Sequence, residues 1–260
     1  MDKSVSPKSV PFPQPARPPF RSKRTHPLLR WFARMSYEIK SARGNMATPG
    51  RRMLAYLEIL FIDHAVFRMV YPNRHRVSKQ MWRAGQPTPW EVGRLARNGI
   101  RTIINLRGAR DCASYYLEHE ACLRHGITLV DFPVNSRQPP TREILTALKD
   151  LFAKIEYPAL MHCKAGSDRV GIMSALYLLL NEKADVDSAL KQLSLRYGHV
   201  RQSKTGVLDH FLKTYRDFSA KKPADFMEWA QRHYDRDEVI KTHKISSWAE
   251  WLYNDVLKRE

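Results

Sequence analysis

Residues 157–180 read YPALMHCKAGSDRVGIMSALYLLL and carry the strongest structural signal in the chain. The stretch YPALMHC is an apolar run of strand length and predicts a short, buried strand. The apolar run at residues 172–180 predicts a buried helix. A polar loop that contains Gly166 lies between the two. The segment therefore predicts a strand, a tight loop and a helix in immediate succession.

Strands and helices alternate along the chain before this segment. The predicted strands lie at residues 81–86, 101–108, 127–134 and 157–163, and the predicted helices at 88–98, 111–125, 141–155 and 172–180. Such alternation is typical of a parallel sheet covered by helices. The sequence predicts an α/β fold with a mostly parallel central sheet of four to five strands flanked by helices, and a helical C-terminal extension.

The loop contains Cys163 and Arg169, with five residues between them. Backbone N–H groups of a loop that enters a helix can point inward and form a binding site for an anion. These dipoles, together with Arg169, favour the thiolate of Cys163, which is the nucleophilic form. A guanidinium can bind two phosphoryl oxygens at once, and Gly166 permits the tight turn. The pattern predicts a phosphate site with a nucleophilic cysteine.

His162, Cys163, five further residues and Arg169 resemble the active-site signature of the cysteine-dependent protein tyrosine and dual-specificity phosphatases. Residues 83–87 (RAGQP) and 103–107 (IINLR) resemble the atypical, bacterial-looking branch of that superfamily. The resemblance implies that Cys163 attacks phosphorus and forms a phosphocysteine, which water then hydrolyses without a metal or cofactor. The phosphate-binding residues that it implies are Lys164, Ala165, Gly166, Ser167, Asp168 and Arg169.

Two positions depart from the family pattern. Val170 stands where the family commonly has a serine or threonine whose hydroxyl assists breakdown of the phosphoenzyme, so slow turnover is expected. The general acid is open between Asp168, within the loop, and Asp131, which precedes Cys163 inside a predicted strand. We favour Asp168, either as proton donor or as a group that orients Arg169. The predicted catalytic residues are Cys163, Arg169 and Asp168.

Four basic residues outside the loop are candidate substrate contacts. Arg107 and Arg137 follow predicted strands, near the sheet edge where ligands bind in open α/β folds. Arg201 and Lys204 belong to a connecting segment that is expected to reach the rim of the site. Lys164 resembles the basic loop of phosphoinositide-directed members. The sequence predicts a phosphoprotein substrate, with a phosphoinositide or another phospholipid of the lipid A type at a membrane surface as the alternative.

The chain has 44 Lys and Arg against 26 Asp and Glu, a formal net charge of +18 that favours anionic partners. Residues 1–52 are basic and rich in proline, which predicts a disordered arm. Residues 53–75 predict an apolar helix that charged side chains interrupt before it reaches the ~20 residues of a membrane span. Residues 76–218 form the predicted catalytic domain. Residues 219–260 are a helical extension whose aromatic side chains are expected to pack on that domain.

Other classes of protein are weaker hypotheses. The basic composition invites a nucleic-acid-binding protein, but there is no zinc-ligand spacing and no stacking platform, so we expect no specific nucleic acid partner. A phosphate-binding module without activity would not need Cys163, and the arginine spacing disfavours a rhodanese-like sulfur transferase. Three cysteines without metal-ligand spacing indicate a reducing, cytoplasmic location and no metal. Peripheral contact with an anionic membrane is the alternative location, and the oligomeric state stays open.

Overall fold

The computed structural model describes residues 49–61 and 72–243. The chain divides into two compact units, one made of residues 1–66 and 111–117 and the other of 67–110 and 118–260. Residues 1–48, which hold most of the predicted arm, lie outside the described residues. Across the described ranges, no helix is both long enough and apolar enough to cross a bilayer.

In the first unit, helix α1 (Pro49–Phe61) differs from the helix predicted over residues 53–75. It begins four residues earlier, inside the segment assigned to the arm, because a proline suits the first turn of a helix. Residues 72–74 are not helical, since Pro72 cannot continue a helix. Residues 62–71 are not described.

The second unit contains a five-stranded sheet and its flanking helices. In chain order the elements are β1 (His75–Arg76), β2 (Met81–Gly85), α2 (Pro89–Arg97), β3 (Thr102–Asn105), α3 (Ala113–His125, which starts in the first unit), β4 (Thr128–Asp131), α4 (Arg142–Lys154), β5 (Ala159–Cys163), α5 (Asp168–Leu180), α6 (Val186–Leu190), two short 3-10 helices (Leu195–Tyr197 and Lys204–Gly206), α7 (Val207–Lys221), α8 (Phe226–Arg232) and α9 (Arg236–Thr242). The predicted alternation of strands and helices is confirmed.

The strand order is β1-β2-β5-β3-β4, and every pair except β1–β2 is parallel. Gly85 lies opposite Cys163, and Asn105 lies opposite both His162 and Asp131. The carboxyl ends of four parallel strands therefore meet at one edge, which is where open α/β sheets bind ligands. This confirms the mostly parallel sheet.

Alternate residues of the central strands enter two separate cores. Ile103 and Leu160 pack with the apolar residues of α2 and α3. Ile104 and Met161 pack with those of α4, α5 and the later helices. Successive side chains of a strand point to opposite faces, so helices cover both faces of the sheet.

The C-terminal helices pack into the larger of these cores. Phe226, Trp229 and Tyr234 are buried there, and the ring of Phe211 in α7 lies 5.0–6.2 Å from each of their rings. The predicted helical extension is therefore part of the same core as the sheet. The predicted boundary at residue 218 falls inside α7, and residues 244–260, with the remaining tryptophans of the extension, lie outside the described residues.

Candidate active site

Residues 163–169, called the phosphate loop, comprise the last residue of β5, the connection to α5 and the first two residues of α5. Cys163 is 4% exposed, and the backbone N–H of Gly166 donates to its Sγ at 3.3 Å. Gly166 has φ +77°, and a Cβ there would lie 2.6 Å from the backbone nitrogen of Gly85. Only glycine fits this turn. The loop therefore presents an N–H donor to sulfur, an arrangement that stabilises a thiolate.

Arg83 of β2 is fully buried and orients the peptide groups of this loop. Its Nη2 donates to the carbonyl oxygens of Gly166 (3.0 Å) and Ser167 (3.2 Å). Its Nη1 donates to the carbonyl and side-chain oxygens of Gln192. In a planar trans peptide the N–H points opposite to the C=O. The N–H groups of Ser167 and Asp168 therefore point away from Arg83, as a phosphate nest requires.

Asn73 orients the preceding part of the loop. Its Nδ2 lies 3.0 Å from each of three carbonyl oxygens, those of Ala165, Gly166 and Tyr197. By the same argument, the carbonyl of Ala165 turned toward Asn73 directs the N–H of Gly166 toward Cys163. Asn73 has φ +47°, a backbone conformation that asparagine tolerates better than most residues. Asn73, which precedes β1, and Arg83 of β2 thus fix three successive peptide groups of the loop.

A second buried network lies behind the cysteine. His162 and Glu118 are both fully buried, with Nε2 of His162 2.7 Å from Oε1 of Glu118. Nε2 of Gln86 donates to the other carboxylate oxygen of Glu118 at 2.7 Å, and Nη1 of Arg107 donates to Oε1 of Gln86. His162 therefore supports the loop and does not face a substrate. Glu118 lies in the middle of α3, and no sequence motif marks it as part of the site.

Asp168 begins α5 and is bound to a buried histidine. Its Oδ1 lies 2.7 Å from Nδ1 of His199, and Nε2 of His199 lies 2.5 Å from Oδ2 of Asp209. Burial alone lowers the pKa of His199, but hydrogen bonds and attraction from the two carboxylates outweigh it and raise the pKa to about 9. The imidazole is therefore charged at neutral pH. Arg201, with Nε 3.0 Å from Oδ1 of Asp209, completes the network.

The other predicted acid, Asp131, is the last residue of β4. Its Oδ1 accepts a hydrogen bond from Nδ2 of Asn105 at 2.8 Å. It does not line the cavity that contains Arg169. The loop that follows β4 instead contributes Asn135 and Ser136 to that cavity. Asp168, but not Asp131, thus belongs to the phosphate loop.

An open cavity of about 350 Å³ lies next to the loop. It is lined by Arg110, Val134, Asn135, Ser136, Arg137 and Arg169. Of the four predicted basic contacts, the structure brings Arg137 to this cavity. Sequence reasoning missed Arg110, three residues beyond Arg107, although it also follows β3.

The remaining predicted contacts lie elsewhere. Arg107 donates to Gln86, and Arg201 binds Asp209 and, at 3.2 Å, the carbonyl oxygen of Leu193. Lys204 begins a 3-10 helix. The segment that holds Arg201 and Lys204 does contact the phosphate loop, but the residue that makes the contact is His199, which binds Asp168.

The remaining predicted residues of the loop, and Val170 directly after it, have the following surroundings. The carbonyl oxygen of Lys164 accepts from the backbone N–H of Gln86 at 3.2 Å, and Ala165 is exposed. Val170 is fully buried in the core. The position where the family commonly has a serine or threonine therefore holds a valine whose side chain packs in the core.

Comparison with known proteins gives matches over this region. Dual specificity protein phosphatase TpbA of Pseudomonas aeruginosa (strain UCBPP-PA14) is 27% identical over 122 residues, which are 46% of this chain and 53% of TpbA. Inositol diphosphatase DSP5 of Arabidopsis thaliana is 30% identical over 109 residues, 39% of this chain and 51% of that protein. The chain spans about half the length of these curated relatives. The crystal structure of P. aeruginosa TpbA aligns with a TM-score of 0.45 at 20% identity, covering 65% of this chain and 89% of that chain.

A family model described as "DSP-PTPase phosphatase fused to NAD+ Kinase" matches residues 65–207, more than half of the 260 residues. The matched region contains the five strands of the sheet, the phosphate loop and His199. This confirms the resemblance to the cysteine-dependent phosphatases, and the chain belongs to the DSP-PTPase family that this model describes.

Proposed function

We propose that this chain is a phosphatase that hydrolyses phosphate monoesters of phosphoproteins through a phosphocysteine intermediate. The single observation that carries the proposal is the contact between the N–H of Gly166 and Sγ of Cys163. It belongs to a loop whose carbonyl groups Arg83 and Asn73 turn outward. Such a loop holds both a nucleophile and a set of donors for phosphoryl oxygens.

The first chemical step is attack of the Cys163 thiolate on phosphorus. The S–P bond forms while the bond from phosphorus to the ester oxygen breaks, and the leaving oxygen takes a proton. Arg169 and the loop N–H groups bind the three non-bridging oxygens, where negative charge accumulates. In the second step water attacks phosphocysteine, the S–P bond breaks, and inorganic phosphate and the thiolate are released. Val170 supplies no hydroxyl to this step, which supports slow breakdown of the intermediate.

Asp168 is the proposed source of the proton for the leaving oxygen. Its carboxylate accepts a hydrogen bond from the charged imidazole of His199, so the proton of His199 can pass to Asp168 and from Asp168 to the leaving oxygen, and the attacking water of the second step returns a proton to the pair. Asp131 is less suited, because its carboxylate is bound to Asn105 and it lies at the end of β4, outside the loop that holds Cys163 and Arg169.

The substrate class is also part of the proposal. A relative in P. aeruginosa is named a dual specificity protein phosphatase, which supports phosphotyrosine or mixed phosphoprotein substrates here. All three cysteines, each in the described part of the chain, are free. Free thiols are typical of a reducing compartment and support a cytoplasmic location.

The direct test is metal-independent hydrolysis by the wild-type protein. We expect release of phosphate from p-nitrophenyl phosphate and from a phosphotyrosine peptide in reducing buffer, with or without EDTA, because the mechanism uses no metal. Colorimetric phosphate detection gives both rates. Activity that EDTA removes, or no activity on any phosphomonoester, would overturn the proposal.

Replacing Asp168 by asparagine should separate substrates by leaving group. We expect kcat for phenyl phosphate to fall by about 10²-fold, since its leaving oxygen needs a proton. We expect a far smaller loss for p-nitrophenyl phosphate, whose leaving group departs unprotonated. For the wild type, kcat for phenyl phosphate should decline as pH rises through about 9, where His199 loses its proton.

The matched control for this test is Asp150→Asn, the same change at an exposed position of α4. Steady-state kinetics with both substrates over pH 6 to 10 gives the comparison. Equal losses on the two substrates in Asp168→Asn would show that Asp168 orients Arg169 and donates no proton.

A further inference from the structure

Three neighbouring strands each place one arginine at the same edge of the sheet. Arg169 follows β5, Arg110 follows β3 and Arg137 follows β4, and these strands are adjacent in the order β5-β3-β4. Adjacent strands lie about 4.8 Å apart, so the three loops span on the order of 10 Å. All three arginines line the same cavity. The topology therefore places two further cations within one or two strand spacings of the phosphate loop.

The cavity is strongly positive. Its lining, all of it within the described part of the second unit, includes no carboxylate. Arg110 and Arg137 are exposed, so water screens their mutual repulsion. An anion that enters the cavity meets more positive charge than one phosphate group needs. Guanidinium groups bind phosphate and carboxylate oxygens in bidentate fashion.

The backbone that carries Arg137 is fixed locally. Oδ1 of Asn135 accepts a hydrogen bond from the backbone N–H of Arg137 at 2.7 Å. This short side-chain turn sets the direction of the loop after β4. Asn135 and Ser136 add neutral hydrogen-bonding groups to the same wall. The wall thus offers both charge and hydrogen bonds to a ligand.

We propose that Arg110 and Arg137 form a second anion subsite beside the one that takes the cleaved phosphate. The preferred substrate carries a second phosphate or carboxylate on the same molecule, roughly 5–10 Å from the reacting phosphorus. The inference rests on the proposed function, because Arg169 serves both subsites. Because the proposed substrate is a phosphoprotein, the second anionic group is an acidic or phosphorylated residue beside the cleaved phosphoresidue of a peptide.

The test compares matched pairs of substrates that differ by one anionic group. The peptide pair is a phosphotyrosine peptide with glutamine neighbours and the same peptide with glutamate neighbours. The small-molecule pair is an inositol monophosphate and an inositol bisphosphate. The variants are Arg110→Gln and Arg137→Gln, and the control is Arg101→Gln, an exposed arginine that precedes β3 at the opposite end of the strand.

We expect the wild type to prefer the more anionic member of the peptide pair, measured as a ratio of kcat/KM. Arg110→Gln and Arg137→Gln should each lower that ratio roughly tenfold, the effect of one charge-assisted contact. Arg101→Gln should leave it unchanged, and added salt should weaken the preference. A preference that is confined to the inositol pair would overturn the assignment to a peptide.

A ratio that is the same in the wild type and in both variants would overturn the subsite. Failure of the proposed function is a separate result, namely no hydrolysis of any substrate by the wild type. In that case calorimetric binding of the same pairs to Cys163→Ser gives the ratio without turnover. Equal affinity within each pair would then also exclude the subsite.

Discussion

Replacing Cys163 by serine is expected to reduce kcat by at least about 10⁴-fold on every phosphomonoester. A serine hydroxyl stays protonated at neutral pH, whereas the N–H of Gly166 and the positive loop favour a thiolate at this position. The serine oxygen is therefore a far poorer nucleophile in the same geometry. Phosphate release over hours at high enzyme concentration measures the residual rate.

The control for this variant is Cys112→Ser, the same change at a partly exposed cysteine. It should retain wild-type activity. Cys163→Ser should still bind inorganic phosphate, because the loop N–H groups and Arg169 remain. A Cys163→Ser protein with more than about a tenth of wild-type activity would refute covalent catalysis by this residue.

Replacing Arg83 by methionine is expected to lower kcat/KM by about 10²- to 10³-fold. The change keeps an unbranched apolar stem but removes four hydrogen bonds, two of them to loop carbonyl groups. The carbonyl oxygens of Gly166 and Ser167 keep their hydrogen bonds from Asn73 and from the backbone N–H of Gly171. They lose the planar fork that holds both carbonyl groups in one direction, so the loop is free to rotate its peptide groups out of the nest. The affinity for inorganic phosphate and the rate at which iodoacetamide alkylates Cys163 should both fall.

Two further proteins separate positioning from loss of folding. Arg83→Lys keeps a positive charge but lacks the planar fork of the guanidinium. We therefore expect it to be more stable than Arg83→Met but to have little more activity. Arg101→Met is the control at an exposed site. Circular dichroism at the assay temperature checks that each protein is folded. A folded Arg83→Met protein with wild-type phosphate affinity would contradict the positioning role.

The sequence was sufficient for the fold because its signals are local. Each parallel strand is a short apolar run with a clear end, and the run from Ala159 to Cys163 leads directly into a loop and a helix. The predicted position of Cys163, Gly166 and Arg169 in one loop followed from spacing alone. Helix α1 begins before the predicted start because Pro49 suits a first helical turn, and residues 72–74, which the prediction included, are not helical.

The supporting residues could not be predicted, because they reach the loop across long stretches of chain. Asn73 and Arg83 lie far before the carbonyl groups that they bind. Charged residues in the middle of strands are a usable signal, and Arg83 between apolar neighbours of β2 is one. In the segment after α6 the sequence pattern points to the charged side chains of Arg201 and Lys204 and gives no sign that His199 is buried. The carboxylates of Asp168 and Asp209 make His199 a cation, because their hydrogen bonds and charges outweigh the effect of burial.

The arginines that contact the cavity could not be predicted from the sequence either. Arg107 and Arg110 both follow β3, and no local pattern distinguishes them. Gln86, itself held by Glu118, accepts a hydrogen bond from Arg107, while Arg110 lines the cavity with Arg169. The choice depends on a partner from another strand and another helix, which only the folded chain provides.

The most direct test of the account is chemical trapping of the intermediate. The wild-type protein is mixed with p-nitrophenyl phosphate, quenched within the first turnover and digested, and its peptides are analysed by mass spectrometry beside Cys163→Ser treated in the same way. The account predicts one phosphoryl group on the peptide that contains Cys163 in the wild type and no cysteine adduct in the variant. Steady hydrolysis by the wild type without any phosphoryl group on Cys163 would contradict it.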